Sequence, residues 1–311
     1  MRRKQLRASC AFLSLFVLVL AAPARSWAHG FAGKRFFPTT FRVDDPFISD
    51  EFSVLISRIN GPDARTTETD IDFSKRVLPE FGFEFHAPYL HERTADGSPV
   101  TGWDNLGVGA KWQFLTNDKH ETILSIGMDV DIGGTGANRI AESFSTISPT
   151  FFLGKGFGDL PESVKFLRPI AVTGAIGPNL PTRKTTFALN PETGETETEQ
   201  NPTTFSWALS FQYSLSYLRN FVKDIGLGDP FKRMILVAEF PMQTCTNADC
   251  GGHTTGTVNP GVIWAGKKIE LGVAAQIPVN ASSGHGVGVL GLVHLFVDDL
   301  LPKSLGRPIF R

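Results

Sequence analysis

The sequence predicts an all-β protein: a transmembrane, antiparallel, up-and-down β-barrel of about twelve strands preceded by a cleaved signal peptide. Three observations predict it. Apolar and polar residues alternate with a period of two over stretches of about ten residues. The connections between these stretches are by turns long and short. The chain also opens with the layout of an export signal.

That signal comes first. Arg2, Arg3, Lys4 and Arg7 make a basic start, and AFLSLFVLVLAA (11–22) follows as an apolar run. Ala22-Pro23-Ala24 and Ser26-Trp27-Ala28 offer small-residue cleavage sites. The run is shorter than the roughly 20 residues of a spanning helix, so it reads as a signal rather than an anchor. Cys10 precedes the run, which argues against lipoprotein processing. The expected organisation is a signal peptide (1–28), an N-terminal segment (29–50), a barrel (51–297) and a periplasmic C-terminal tail (298–311). The expected address is the outer membrane of a Gram-negative bacterium, with outer-membrane lipid as the chain's surroundings. A net charge of −1 and the lack of a polybasic cluster argue against nucleic acid as a partner.

Twelve stretches read as strands: 51–59, 67–76, 80–88, 104–115, 121–132, 145–156, 166–177, 204–217, 233–243, 256–265, 268–279 and 287–297. In ETILSIGMDVDIGG (121–134), Thr122, Leu124, Ile126, Met128, Val130 and Ile132 share one face. Ile123, Ser125, Gly127, Asp129 and Asp131 share the other. In 204–217, Phe205, Trp207, Leu209, Phe211 and Tyr213 oppose Ser206, Ala208, Ser210 and Gln212.

The connections decide what the apolar face meets. Those at 60–66, 89–103, 133–144, 178–203, 244–255 and 280–286 are mostly long. Those at 77–79, 116–120, 157–165 and 266–267 are mostly short, with 218–232 the exception. Long loops on one side and short turns on the other is the arrangement of an outer-membrane barrel, and it places both termini in the periplasm. Trp103, Trp112, Phe114, Phe157, Phe166, Tyr213, Tyr217, Trp264 and Phe296 gather near strand ends, as interfacial aromatics do. The alternative is a secreted soluble β-sandwich whose apolar face packs into its own core.

The stretches GWDNLGVGAKWQFLTNDKHETILSIGMDVDIGGTG (102–136), SPTFFLGKGFGDLP (148–161), LRPIAVTG (167–174) and VDDLLPKSLGRPIF (297–310) resemble the outer-membrane transporter family named after the meta pathway of phenol degradation. The resemblance runs from about residue 50 to the end. It implies passive passage of small organic solutes, hydrophobic or aromatic ones included, across the outer membrane. The rival role is a structural or adhesive barrel whose long loops bind partners.

No catalytic signature accompanies the strands, and no enzyme activity or cofactor is expected. His294, in LVHLF, is the one histidine on a strand that invites comparison with a barrel phospholipase, but its facing is ambiguous and no nucleophilic serine motif accompanies it. A structural histidine near the membrane interface is the simpler reading. His29, the first residue after cleavage, would offer an amine and an imidazole to copper but lacks further ligands. Cys245 and Cys250, in a Gly/Asn/Thr-rich loop of an exported chain, are expected to form a disulfide. A metal site with His253 matches no standard zinc spacing, so no metal is assigned.

The polar strand faces carry the functional expectation. Asp70, Asp72, Glu84, His86, Lys111, Gln113, Asp129, Asp131, Gln212, Glu239, Glu270 and Gln276 are expected to line the lumen, with Arg58 as a further basic residue. Such an acid-rich lining favours cations. Phe31, Phe36, Phe37, Phe41 and Phe47 crowd the N-terminal segment, too many aromatics for a tail left in water. Two placements are open: a plug in the periplasmic mouth, its Phe side chains lining a solute path and Lys34, Arg35 and Arg42 meeting lumenal carboxylates, or a collar outside the barrel.

Overall fold

The computed structural model of the protein describes residues 30–61, 64–94, 99–189, 196–247 and 250–310. The expected signal peptide and His29 lie outside the described residues. Twelve antiparallel strands form the wall. They are β1 (Glu51–Asn60), β2 (Ala64–Leu78), β3 (Phe81–Thr94), β4 (Leu106–Asn117), β5 (Thr122–Ile132) and β6 (Thr146–Gly156). The ring continues with β7 (Ile170–Pro181), β8 (Thr204–Ser214), β9 (Met234–Cys245), β10 (Thr254–Ala265), β11 (Ile269–Pro278) and β12 (Gly288–Phe296). Each strand pairs with its neighbours in sequence, and β12 returns to β1 with Ser53 opposite His294 and Val54 opposite Val293. The ring is closed, so the wall leaves no sheet edge unpaired.

Facing follows from the pleat. In β5, Ile126 and Met128 are 45% and 51% exposed, while Ile123 and Ser125 are fully buried. Ile56, Phe85, Phe151, Ile176, Phe211, Leu236, Val273 and Val293 extend the same exposed apolar belt around the wall. A closed barrel cannot bury this belt against itself. In water its exposure would cost about 25 cal/mol for each Å² of apolar surface, whereas lipid removes that cost. A soluble sandwich would turn this face inward, and the closed ring overturns that alternative.

Local chemistry moves several boundaries. The residues before β7 form a 3₁₀ helix, Glu162–Leu167, so that strand begins at Ile170. β8 stops at Ser214, whose hydroxyl accepts the Tyr217 N–H at 3.1 Å and starts a short helix. β2 begins early, at Ala64, which leaves the first loop-side connection at 61–63 short rather than long. β3 runs past Pro88 and pairs with a strand at Pro99–Trp103 beyond the wall. A second hairpin, Thr185–Leu189 with Thr196–Gln200, rises from the β7–β8 connection. The C-terminal tail folds back against the β2–β3 turn, where the Phe310 N–H donates to the Val77 carbonyl at 2.8 Å.

Candidate functional site: the barrel interior

Alternate residues of each strand point inward, and the burial pattern identifies them. On β1 these are Ser53, Leu55 and Ser57, all buried. Their register partners on β2 are Asp72, Asp70 and Glu68, which therefore share the inner face. Glu84 and His86 follow on β3, Lys111 and Gln113 on β4, and Asp129 and Asp131 on β5. Gln212 on β8, Glu239 on β9, and Glu270 and Gln276 on β11 are buried on the same inner face. Glu68 lies one step along the Asp72–Asp70 alternation and was legible there in TETDIDF.

These groups pair in a pattern. Lys111 bonds Glu84 at 2.8 Å, lies over the Phe152 ring at 4.4 Å and donates to the Asp45 carbonyl at 3.1 Å. His86 Nε2 meets Asp131 at 2.9 Å. Gln212 donates to Thr173 at 3.2 Å, and Gln276 accepts from Ser57 at 3.1 Å.

Residues 30–36 meet the turn end of the wall, and residues 37–50 run inside it. The Glu239 carboxylate accepts the main-chain N–H of Phe41 at 2.9 Å and of Arg42 at 3.1 Å. Glu270 accepts the Thr39 N–H at 3.1 Å. Arg42 pairs with Glu68 at 2.5 Å, the Ile48 N–H donates to Gln113, and the Ser125 hydroxyl donates to the Pro46 carbonyl. Two carboxylates and an amide on the wall thus satisfy main-chain N–H groups of a segment with few hydrogen bonds of its own. Small residues on the wall give it room. A side chain at Gly272 would sit 2.8 Å from the Phe41 ring, and one at Gly154 would sit 2.7 Å from Pro46.

The five phenylalanines divide by depth. Phe41 packs with Leu55, Ile235, Val237, Ile263, Leu290 and Leu292 on one side of the interior. Phe37 and Phe47 pack with Ala32, Ile123 and Ala171. Phe31 and Phe36 stack on each other at the turn end, where Phe36 also meets Phe296. A cavity of about 670 Å³ lies between residues 39–45 and the loop-side strand ends. Of the five rings, Phe41 alone borders it. Asp70, Asp72, Glu84, Asp129 and Asp131 line one side; Asn179, Ser206, Gln243, Thr257 and Gln276 line the other.

A second cluster fastens the segment at the turn end. Arg35 is 1% exposed. Its Nε donates to Glu121 at 3.2 Å, one terminal nitrogen donates to the Pro169 carbonyl at 3.0 Å, and the other donates to the Arg168 carbonyl. The guanidinium lies 3.9 Å from the centre of the Tyr217 ring, and the Tyr217 hydroxyl donates to Glu121 at 2.7 Å. Burial lowers the pKa of Arg35, while Glu121 and then Tyr217 act to raise it. Burial, then the Glu121 bond, raises the pKa of Tyr217. Arg35 thus meets a carboxylate in a turn, not in the lumen, and Lys34 lies over the Phe221 ring at 5.4 Å.

Other side chains depart from the sequence expectation. His294 points inward and is fully buried, with Nδ1 2.8 Å from the Ser53 hydroxyl and Nε2 3.7 Å from Glu51. It is not on the lipid face. Arg58 shares the face of exposed Ile56 and points outward, so it is not a lumenal base. Trp103, Phe114 and Phe166 are exposed near strand ends, but Tyr217 and Phe296 are buried around the N-terminal segment. Cys245 and Cys250 form a disulfide.

The sequence matches no known family model and no curated protein. Solved structures do resemble the fold. The crystal structure of an outer-membrane channel from Pseudomonas putida F1 superposes with a TM-score of 0.55 at 11% identity, covering 83% of this chain and 99% of that one. Two porins fit more loosely. KdgM, solved with disordered oligogalacturonate, gives 0.45 at 10% identity over 80% of this chain and 98% of its own. NanC gives 0.47 at 8% identity over 79% and 98%. The fold is that of an outer-membrane β-barrel.

Proposed function

We propose that the protein is a passive outer-membrane channel for small organic solutes, hydrophobic or aromatic ones included, with residues 30–50 as its plug. The observation that carries this reading is the pairing of a lumenal cavity of about 670 Å³ with a segment held across the interior by Glu239 and Glu270. A twelve-stranded wall encloses more space than its own side chains fill, and here chain occupies part of that space. In this account solutes pass unchanged, the carboxylate side of the cavity favours cations, and residues 1–28 direct export. The sequence resemblance to the meta-pathway transporters supports small aromatic solutes. Uptake of such solutes in a strain lacking other porins tests the reading. Uptake that depends on the protein is expected, and identical uptake without it contradicts the proposal.

A structural or adhesive role is the second reading. It draws on the paired strands Thr185–Leu189 and Thr196–Gln200, which project from the loop side and carry Phe187 at 74% exposure. Planar-bilayer recording separates the two, because an adhesive barrel without a pathway gives no current steps.

A further inference from the structure

Three adjacent wall strands and the short strand beside them share an unusual outer rim. On the outward face, the register aligns Ile56, Thr69, Tyr89 and Trp103 in one row across β1, β2, β3 and the strand at 99–103. Tyr89 and Trp103 are exposed and pack edge-to-face at 5.0 Å. Aromatic residues of this kind mark the level where hydrocarbon gives way to headgroups. The next row towards the loops holds Arg58, Thr67, His91 and Thr101, and the row beyond it holds Asn60, Arg65 and Arg93. Arg58, Arg65 and Arg93 are all exposed.

The two rows concentrate positive charge. Arg65 and Arg93 are direct register partners, a like-charge pair that destabilises a sheet when nothing lies between. Arg58 lies diagonally below Arg65, within roughly 8 Å by sheet geometry. Among the described residues, no carboxylate forms an ion pair with any of the three. The nearby acids among the described residues, Glu68 and Glu92, are occupied elsewhere, Glu68 with Arg42 in the lumen and Glu92 with the Thr66 hydroxyl. Among the described residues, the side-chain bond at Arg65 goes to neutral Asn60, at 2.8 Å. Elsewhere along the loop-side rim, Leu106, Ile132, Leu180, Phe205, Ile277 and Val287 are exposed apolar positions. Apolar Val289 lies directly beside Arg58 on β12, and apolar Ile56 lies one row below it.

We propose that Arg58, Arg65 and Arg93, with His91, form a binding site for the phosphate of a lipid headgroup in the outer leaflet. Guanidinium groups at this depth face phosphate oxygens, which they bind through paired N–H donors, while acyl chains lie along the apolar rows below. Bound phosphate also relieves the repulsion between Arg65 and Arg93.

The test uses the full chain folded in detergent, with a heat-dependent gel shift confirming the barrel. Three probes are compared: bisphosphorylated lipid A, its dephosphorylated form, and inorganic phosphate. The phosphorylated lipid should bind roughly tenfold or more tightly than the dephosphorylated one. Arg58→Gln, Arg65→Gln and Arg93→Gln together should remove that preference, while the matching lysine triple variant retains part of it. Millimolar inorganic phosphate should fail to displace the lipid. Equal binding of the two lipids by the unsubstituted protein overturns the site, whatever the variants do. A glutamine variant that binds as the parent does overturns it too. Full displacement by inorganic phosphate would assign the arginines to a free anion and contradict the lipid assignment.

Discussion

The Glu239 carboxylate accepts the main-chain N–H of Phe41 at 2.9 Å, a hydrogen bond between the barrel wall and a chain segment 198 residues away in sequence. The same carboxylate holds the N–H of Arg42. Glu239→Ala leaves both donors without their acceptor, a loss of about 1–3 kcal/mol per buried group. The expected result in single-channel recording is larger or more frequent current steps than the parent gives. Unchanged recordings from a folded barrel would show that Glu239 does not restrain the segment.

The turn-end cluster makes a separate prediction. Arg35 and Glu121 are buried together, so Arg35→Ala strands a buried carboxylate and should cost on the order of 3 kcal/mol. The measurement is the urea concentration at which the folded gel band disappears. Tyr217→Phe removes one donor to Glu121 and keeps the ring under the guanidinium, so it should cost about 1 kcal/mol. Equal losses for the two variants would argue against the charge pair as the dominant contact.

The lining predicts ion preference. Asp44, Asp45, Glu51, Asp70, Asp72, Glu84, Asp129 and Asp131 border the cavity against Arg42, His86 and Lys111. A salt gradient should give a cation-selective reversal potential, and Asp72→Asn with Asp129→Asn should reduce it. Anion selectivity in the parent would contradict the account of the lining.

The loop disulfide should matter little to the barrel. Closing so short a loop restrains the unfolded chain by about 2 kcal/mol, and the closed ring does not depend on it. Cys245→Ser should loosen the β9–β10 loop, seen as faster proteolysis there, and leave the folded gel band intact.

How much of this was legible in the sequence depended on what each strand's inner face meets. β5 and β8 face polar groups on one side and lipid on the other, so their period of two is plain and their facing follows. β12 was ambiguous for the opposite reason. Leu290 and Leu292 point inward at the cluster around Phe41, while Val289 and Val293 point outward, so both faces are apolar and His294 had no side to belong to. Tyr217 and Phe296 read as girdle aromatics because sequence places them at strand ends; they turn inward because the N-terminal segment needs partners there. The hairpin of Thr185–Leu189 with Thr196–Gln200 is hard to see in sequence, because each strand has only five residues and TETEQ carries no apolar residue to mark a face. The contact between Arg35 and Glu121 joins parts of the chain 86 residues apart, and no local pattern announces it.

Single-channel conductance of the protein lacking residues 31–47, beside that of the full chain, tests the central claim most directly. Clear, larger current steps are expected once the segment held by Glu239 and Glu270 is gone, in a barrel whose gel mobility still shifts on heating. Identical conductance from the two folded proteins would contradict it.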